Sequence, residues 1–297
     1  ITLFHAKIVN EVLKLTDKKI DFIGFHGQTI YHNSLEKISK QIGDGNLLSQ
    51  LTKKIVINNF RQNDIKNGGE GAPLAPIFHR LIVKQKKLDL PVCILNIGGI
   101  ANVTAIGEYN NNSLLSRDLG PGNCLIDEWM RKNSKKKYDV NGLTSENGKI
   151  DKLVLNQALE NFSQNQNYEK SLDVKDFDIF FAKGLSLEDG TTTITEFTAK
   201  LISNGINYIQ SLDRSFSNNW LVCGGGRKNE YLLESIRSNQ KEINLAPIEK
   251  YGINGDFIES QAFACLAIRS LKGKPISFPT TTRCKQPLTG GVIVENF

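Results

Sequence analysis

The 297-residue sequence predicts an α/β fold built from two domains. Short apolar strand patterns alternate with amphipathic helical patterns, which is the order found in α/β proteins. Glycines cluster directly after two predicted strands, at 98–99 and 224–226, and open α/β sheets bind ligands at the carboxyl ends of their strands. The chain length suits two domains. No linker marks their boundary, so the stretch K-Q-K-K-L-D-L-P at 84–91 is the expected crossing point.

The positions of the predicted elements follow from the spacing of apolar residues. The first helix is amphipathic, with one apolar face formed by Phe4, Ile8, Val12 and Leu15. Strands are expected at 20–25, 54–57, 92–97 and 220–223. Further helices are expected at 74–83, 125–130, 153–162, 195–212, 230–239 and 257–271. The helix at 74–83 should start at Ala72-Pro73, since proline suits a first helical turn, and a polar loop is expected at 165–178.

Composition and charge argue against several classes of protein. The net charge is +6, but the excess is scattered and no basic stripe with interleaved aromatic residues appears, so no nucleic-acid partner is expected. No run approaches the roughly 20 apolar residues of a membrane span. The five cysteines are far apart and include no C-x-x-C pair, so neither a disulfide framework nor a zinc knuckle is expected. These features predict a cytoplasmic protein without a membrane partner.

Two glycine-rich stretches are candidate ligand sites. In L-N-I-G-G-I-A-N (95–102), Gly98 and Gly99 let the backbone approach an anion, but a plain β-hairpin turn explains them equally well. In V-C-G-G-G-R-K-N-E (222–230), the three glycines could accept a flat base and a ribose, with Asn229 as a polar contact. The alternative is a tight strand-to-helix connection capped by Asn229. The stretch is neither G-x-G-x-x-G nor a Walker A loop.

Two other stretches combine glycine with polar side chains. In G-F-H-G-Q-T-I-Y-H (24–32), His26 and Gln28 follow a predicted strand. His26 and His32 are candidate metal ligands, but no carboxylate or third histidine is spaced to complete a site, so His26 is expected to form hydrogen bonds. In 60–79, three glycines around Glu70 precede a predicted helix. A helix start approached by glycines can bind a polar ligand such as a sugar, but an ordered surface loop is the alternative. Arg61 and Asp64 are expected to pair as structural residues there.

The stretch R-D-L-G-P-G-N (117–123) contains the strongest catalytic candidate, Asp118. A carboxylate held at a rigid turn is fixed in direction, as a general base must be. A turn residue and a helix cap are the alternatives for Asp118. Asp127 suits the first turn of the next helix, where negative charge is favourable. A glycosidase would need two carboxylates flanking a sugar bond, but Asp118 and Asp127 are expected to point apart.

Eight motifs together resemble one family, the anhydro-N-acetylmuramic acid kinases of bacterial cell-wall recycling. They are F-H-G-Q-T (25–29), F-R-Q-N-D…G-G-E-G-A-P-L-A-P-I-F-H (60–79), L-N-I-G-G-I-A-N (95–102), D-L-G-P-G-N (118–123), Y-D-V-N-G (138–142), G-G-G-R-K-N (224–229), E-S-Q-A-F-A-C-L-A-I-R (259–269) and P-L-T-G-G (287–291). The resemblance covers essentially the whole chain. It implies the two-domain actin-like fold of sugar kinases, Hsp70 and actin, with the active site in the interdomain cleft. The implied domains are 1–90, with 272–297 packing back on it, and 91–271.

The resemblance also implies an activity and a set of site residues. Water opens the 1,6-anhydro ring of the sugar while the 6-oxygen takes the γ-phosphoryl group of ATP, with Mg²⁺ neutralising charge. Asp118 matches the base that activates the water. The implied nucleotide contacts are Gly98, Gly99, Gly224, Gly225, Gly226 and Asn229. The implied sugar contacts are His26, Gln28, Gly69, Gly71, Ala72, Pro73 and, through the sugar or its water network, Glu259. Metal ligands are not identified, and a homodimer is a further implication.

The sequence departs from the family pattern at several points. The family usually begins with a strand and a loop of the form G-T-S-x-D-G-x-D that holds the ATP phosphates, and this segment does not appear in the chain. Glu70 stands where glutamine is usual, Asn59 where aspartate is usual, and Arg283-Cys284 where Gly-Val is usual. Without the loop, weak phosphate binding and the loss of the first strands of the first domain are expected. A catalytically impaired actin-like remnant that binds nucleotide or sugar is therefore the alternative to an active kinase.

Overall fold

The computed structural model describes residues 1–33, 36–108, 114–163 and 167–297, and it confirms the α/β class. Its strands are β1 Phe22–Phe25, β2 Gln28–Asn33, β3 Ile38–Ile42, β4 Ile55–Asn58, β5 Val92–Ile97, β6 Ile100–Ile106, β7 Leu114–Pro121, β8 Asn219–Cys223, β9 Asn244–Pro247 and β10 Val292–Val294. Its α-helices are α1 Thr2–Lys14, α2 Gly45–Thr52, α3 Gln62–Lys66, α4 Pro76–Gln85, α5 Cys124–Asn133, α6 Leu143–Glu146, α7 Lys152–Ser163, α8 Leu187–Leu212, α9 Glu230–Asn239, α10 Ile258–Leu271 and α11 Pro279–Thr282. Residues 165 and 166 of the predicted polar loop lie outside the described residues.

The chain divides into two compact units. The first contains Ile1–Val83 and Glu259–Phe297, and the second contains Lys84–Ile258. The predicted domain limits at 90/91 and 271/272 differ from this division, chiefly because α10 belongs to the first unit. Its Leu266 and Ala267 are buried in one cluster with Ile57. Gly24 of β1 lies so close to α10 that a Cβ atom there would come within 2.6 Å of the Phe263 carbonyl oxygen.

The first unit is built on a three-stranded sheet in the order β1-β4-β10. Strand β1 is parallel to β4, and β10 is antiparallel to β4. Strands β2 and β3 form a separate antiparallel hairpin. The main buried cluster lies between β4 and α10 and contains Phe60, Leu74 and Ile276 as well.

The second unit is built on a five-stranded sheet in the order β7-β6-β5-β8-β9. Strands β5, β6 and β7 form an antiparallel meander, while β8 and β9 run parallel to β5. One face of the sheet packs against α5, α7, α8 and α9 in the largest core of the described chain. Because β7 and β8 run in the same direction as β5, the carboxyl ends of these three strands lie at the same end of the sheet.

Three predicted helices differ from the structure. Helix α4 begins at Pro76 rather than Ala72-Pro73, because hydrogen bonds to Gly71 hold the preceding segment as a loop. Helix α8 begins well before 195, since the Ser186 hydroxyl caps it by accepting the Asp189 N–H at 3.0 Å. In α1 the buried residues are Thr2 and Ala6, and the predicted apolar face is exposed. Among the described residues, no helix combines the length and apolar character needed to span a membrane.

Candidate active site

The β5–β6 turn and the turn after β7 are joined backbone to backbone in the second unit. The carbonyl oxygen of Gly98 accepts the Asn123 N–H at 2.7 Å. The carbonyl oxygen of Gly99 accepts the N–H groups of Gly122 at 2.8 Å and Cys124 at 3.2 Å. The hairpin alternative for Gly98-Gly99 is therefore observed, and the hairpin has a second role as the support of the G-P-G-N turn. No side chain fits between them, since a Cβ on Gly122 would lie 2.3 Å from the Gly98 oxygen.

The triglycine turn after β8 packs against the same two turns. Gly224 has a φ of +78°, and a Cβ there would lie 2.6 Å from the Ile97 carbonyl oxygen. A Cβ on Gly226 would lie 2.2 Å from the Ile97 side chain. The side chain of Asn123 completes the contact, because its Nδ2 donates to the Ile97 carbonyl oxygen at 3.4 Å. Thus the structure brings the predicted glycines 98–99 and 224–226 together at the carboxyl ends of strands β5 and β8.

The glycines of this cluster fall into two groups. Gly122, Gly224 and Gly226 have no room for a side chain within the protein. A Cβ on Gly98, Gly99 or Gly225 would instead meet no atom closer than 3.6 Å, and none of these three has a positive φ. The protein's own packing therefore does not require glycine at 98, 99 and 225, and their bare backbone remains available to a ligand.

Asn229 is the N-cap of α9. Its Oδ1 accepts the Leu232 N–H at 3.0 Å, and only 5 % of the residue is exposed. The strand-to-helix alternative for the triglycine stretch is thus observed, with Asn229 in the capping role that it predicts. The buried Arg227 stabilises the turn: its Nη1–H donates to the Gly224 carbonyl oxygen at 2.9 Å, and its guanidinium pairs with Glu249.

Asp118 lies inside strand β7 and not at the turn, which corrects the turn prediction. The strand continues to Pro121 because it stays paired with β6, through a bulge that accommodates Leu119. Asp118 is the cross-strand partner of Asn102, which in turn pairs with Asn96 of β5. Since direct partners point to the same face, these three polar side chains form a row across the sheet. The row lies on the face opposite the main core, and Asp118 Oδ2 accepts the Leu172 N–H at 2.9 Å.

Asp127 occupies the first turn of α5, as predicted. Burial raises its pKa to about 6, and the charge of Arg131 only partly opposes that shift. Burial thus disfavours the charged form of Asp127 at this helix start, so the simple charge interpretation of Asp127 is incomplete.

In the first unit, Arg61 joins His26 to the loop at 69–73. Its Nε donates to His26 Nε2 at 3.0 Å, and its Nη1 donates to the Gly71 carbonyl oxygen at 2.7 Å. His26 Nδ1 lies 2.9 Å from the Gly27 carbonyl oxygen, which can only accept, so the neutral ring has its proton on Nδ1. Burial, and then the Arg61 charge, lower the His26 pKa to about 4. The ring also packs on Phe263, with centroids 4.3 Å apart.

Asp64 holds the other side of the same loop. Its Oδ2 accepts the Gly71 N–H at 2.7 Å, and its Oδ1 accepts the Thr282 hydroxyl at 2.7 Å. Arg61 and Asp64, predicted as a structural pair, therefore act on the two polar groups of one glycine. Burial lowers the pKa of Arg61 to about 10, and the charges of Glu259 and Asp64 partly offset that effect. Arg61 and Asp64 are not among the site residues predicted from the sequence.

Comparison with known proteins decides the family. The family model described as anhydro-N-acetylmuramic acid kinase matches residues 1–296. The chain belongs to the anhydro-N-acetylmuramic acid kinase family. It is 56 % identical to the anhydro-N-acetylmuramic acid kinase of Pelagibacter ubique (strain HTCC1062), over 100 % of this chain and 80 % of that protein. It is 40 % identical to that of Methylobacterium nodulans (strain LMG 21967 / CNCM I-2342 / ORS 2060), over 98 % of this chain and 77 % of that protein.

A solved structure also matches at a lower level. The activator of the 2-hydroxyisocaproyl-CoA dehydratase from Clostridium difficile with bound ADPNP has a TM-score of 0.35 and 17 % identity, over 64 % of this chain and 66 % of that one. A likeness of this size carries no argument here. The assignment to the anhydro-N-acetylmuramic acid kinase family rests on sequence.

Two departures from the family pattern turn out to be in contact. Arg283 Nη1 forms an ion pair with Glu70 Oε2, and the Glu70 N–H donates to the Thr282 carbonyl oxygen at 2.8 Å. Arg283 has a φ of +60°, a conformation that favours glycine. An arginine thus stands in a backbone position suited to the usual glycine, with its guanidinium on the loop at 69–73.

The remaining predicted residues lie as follows. Gln28 is exposed at the start of β2, and its Nε2 donates to the Thr29 carbonyl oxygen at 3.2 Å. Ala72 and Pro73 are half-buried in the loop, and Glu259 is exposed in the first turn of α10. Within the described ranges, no group of three or more His, Cys, Asp or Glu side chains is placed to hold a metal ion.

Proposed function

We propose that this chain converts 1,6-anhydro-N-acetylmuramic acid, water and ATP into N-acetylmuramic acid 6-phosphate and ADP. The proposal rests first on the family match over residues 1–296, which favours a kinase over a non-catalytic remnant. The structural observation that supports it best concerns Gly98, Gly99 and Gly225, which the protein's own packing does not require to be glycine. They lie beside the turn that follows Asp118. A cytoplasmic location fits, since ATP is a substrate.

Asp118 is the proposed base. Its carboxylate takes one proton from water while the water oxygen forms a bond to C1 of the sugar. The C1–O6 bond breaks, and its electron pair stays on O6. O6 forms the new bond to the γ-phosphorus of ATP, and ADP leaves with the electrons of the broken phosphoanhydride bond. The proton taken by Asp118 is released to solvent, so atoms and charges balance.

The glycine turns suit the nucleotide. Bare backbone at Gly98 and Gly99 fits close approach by phosphate oxygens, and the turn Gly224–Gly226 fits the adenosine, with Asn229 supporting that turn as the cap of α9. The Mg²⁺ that accompanies ATP supplies charge neutralisation when bound, and such ions are often held mainly by phosphates and water. In the first unit, we assign His26, Gln28, Glu259 and the loop at 69–73 to sugar binding. Both ring nitrogens of His26 are engaged by Gly27 and Arg61, so His26 acts by positioning Arg61 and the loop at 69–73.

The test is a kinase assay with ATP, Mg²⁺ and the anhydro-sugar, in which ADP release and the mass of the product are followed. Asp118→Asn should lower kcat by about 10²- to 10⁴-fold, the usual contribution of a general base. Asp127→Asn is the matched control in the same stretch and should retain activity. Gly225→Ala should raise KM for ATP without changing KM for the sugar. A wild-type kcat in Asp118→Asn would rule out the base.

A further inference from the structure

The backbone of one segment, residues 167–173, contacts the Asp118 carboxylate directly. The Leu172 N–H donates to Asp118 Oδ2 at 2.9 Å, across 54 residues of sequence. A peptide N–H is a donor whose direction is set by the chain, so it restrains the rotation of the carboxylate. The Leu172 side chain is also partly buried against the main core of the second unit.

The same segment is fastened to the neighbouring residue, Arg117. Glu169 accepts from Arg117 through both carboxylate oxygens, with Nη2–Oε2 at 3.0 Å and Nε–Oε1 at 3.3 Å. The Arg117 side chain is only 12 % exposed, so this bidentate pair is partly shielded from solvent. Two parallel hydrogen bonds to a planar guanidinium define the position of Glu169 closely.

Helix α8 provides a third attachment. The Tyr208 hydroxyl donates to Glu169 Oε1, and the Tyr208 ring stacks on Tyr168 with centroids 4.5 Å apart and planes at 19°. Both tyrosines pack against the core cluster of the second unit. The segment is therefore anchored to a buried helix on the core side of the sheet.

Arg117 and Asp118 are successive residues of β7, so their side chains point to opposite faces of the sheet. Strand β7 is one of the two edge strands of its sheet. A segment that binds Arg117 through Glu169 and Asp118 through Leu172 must therefore pass around this edge. The ion pair lies on the core face, whereas the Leu172 N–H reaches the carboxylate at the edge strand while the Leu172 side chain still packs against the core.

We propose that residues 167–173 form a strap that positions the Asp118 carboxylate for catalysis. The Leu172 N–H is the positioning group, and the Arg117–Glu169 pair with Tyr208 holds the strap in place. This role rests on the proposed function of Asp118 as the base. Neither Leu172 nor Glu169 takes part in the chemistry, because both act through the direction of the Asp118 side chain.

The sharpest test removes the Leu172 N–H group as a hydrogen-bond donor. Leu172→Pro lacks the N–H, whereas the control Leu172→Ala keeps it and loses only side-chain packing. We expect Leu172→Pro to lower kcat by about ten- to a hundredfold, as for one lost hydrogen bond to a charged group, with KM for ATP unchanged. Leu172→Ala should stay within about threefold of wild type. Equal kcat values for the two folded variants would overturn the proposal.

A second pair of variants covers the case in which proline prevents folding. Glu169→Ala should lower kcat about tenfold without changing KM for ATP, and adding Arg117→Ala should lower it no further, because both remove the same anchor. An unchanged kcat in Glu169→Ala would also overturn the strap.

The Asp118→Asn background separates this inference from the function on which it rests. If the strap acts through Asp118, Glu169→Ala should cause no additional loss in that background. An equal tenfold loss there would show that the strap acts elsewhere and would overturn the proposal. Full activity of Asp118→Asn itself would contradict the proposed function, whereas full activity of Glu169→Ala and Leu172→Pro contradicts only the strap.

Discussion

The loop at 69–73 in the first unit and the glycine turns of the second unit are both rich in glycine, yet different forces hold them. Charged side chains hold the loop, since Arg61 and Asp64 bind the two polar groups of Gly71 and Arg283 pairs with Glu70. The turns are held by backbone hydrogen bonds between one another and by packing that leaves no room for a Cβ at Gly122, Gly224 and Gly226.

This difference determines how each region should respond to change. Backbone contacts between glycines are insensitive to pH and salt but intolerant of one added methyl group. A loop held by charged and titratable groups should respond to pH and to charge-neutral substitution while its backbone stays intact. The following predictions test that contrast, and each can be made on the whole chain.

The largest effect is expected from Gly224→Ala. The new Cβ would collide with the Ile97 carbonyl group and force a side chain onto a backbone with a φ of +78°. The free energy of unfolding should fall by about 3 kcal/mol or more, measured by chemical denaturation. Gly225→Ala is the control, because its Cβ meets nothing closer than 3.6 Å and stability should hardly change. Similar losses in both variants would contradict the packing argument.

Asp64→Asn should have the next largest effect. The amide nitrogen cannot accept the Thr282 hydroxyl hydrogen, so that hydroxyl must turn to accept from the amide, and the buried Arg61 loses a negative charge supplied by a residue that is only 1 % exposed. We expect a loss of about 2 to 3 kcal/mol in unfolding free energy. KM for the sugar should rise while KM for ATP stays constant. A rise in KM for ATP alone would break the assignment of this loop to the sugar.

Acid should act with opposite sign on His79 of the first unit and Asp127 of the second. Burial lowers the pKa of His79 to about 4 from 6.5, so the unfolded state binds more protons between these values and stability falls as pH drops through that window. For His79 the loss should reach about 2 kcal/mol at pH 5. All four histidines lie in the first unit. Asp127 of the second unit has its pKa raised to about 6, so its contribution grows as pH falls from 6 towards 4.

Hydrogen exchange followed by mass spectrometry at pH 7 and pH 5 can separate these contributions by peptide. Protection should fall in Ile1–Val83 after correction for the intrinsic exchange rates. In the variant His79→Gln, which does not titrate in this range, that fall should be smaller. Equal losses in both units would contradict the sign argument.

The smallest effect is expected at the Glu70–Arg283 pair. Glu70→Gln removes the ion pair and leaves an arginine in a backbone conformation that favours glycine. Adding Arg283→Gly should then stabilise the protein by about 1 kcal/mol, whereas Arg283→Gly alone should not. Thermal unfolding of the four proteins measures this coupling. Additive effects would show that the Glu70–Arg283 contact contributes no coupling energy.

Local features of the sequence predicted much of the fold. Strands β5 and β8 and helix α9 follow from runs of apolar residues and from glycines or prolines at their ends. The glycine turns at 98–99 and 224–226 were found because they follow buried strands. Asp118 was predicted at a turn because Gly120-Pro121 signals one, but pairing with β6 extends the strand through both residues. A local signal gave way to a tertiary contact.

Contacts between distant residues could not be predicted from one sequence. Asp64 and Thr282 are 218 residues apart, and Asp118 and Leu172 are 54 residues apart. No spacing rule relates such positions, since their meeting depends on the finished fold. The exposure of the apolar face of α1 could not be predicted for the same reason. Periodicity shows that an apolar face exists, but not whether another part of the chain covers it.

The hairpin at Gly98-Gly99 has one further electrostatic consequence. A trans peptide places its carbonyl and its N–H on opposite sides. Because the Gly98 carbonyl points at the Asn123 N–H, the Gly99 N–H must point away from the G-P-G-N turn. The negative carbonyl end of this peptide dipole is hydrogen-bonded inside the protein, whereas its positive N–H end points away from that contact. The hairpin is therefore polarised to attract anions and to repel cations, although it contains no charged side chain.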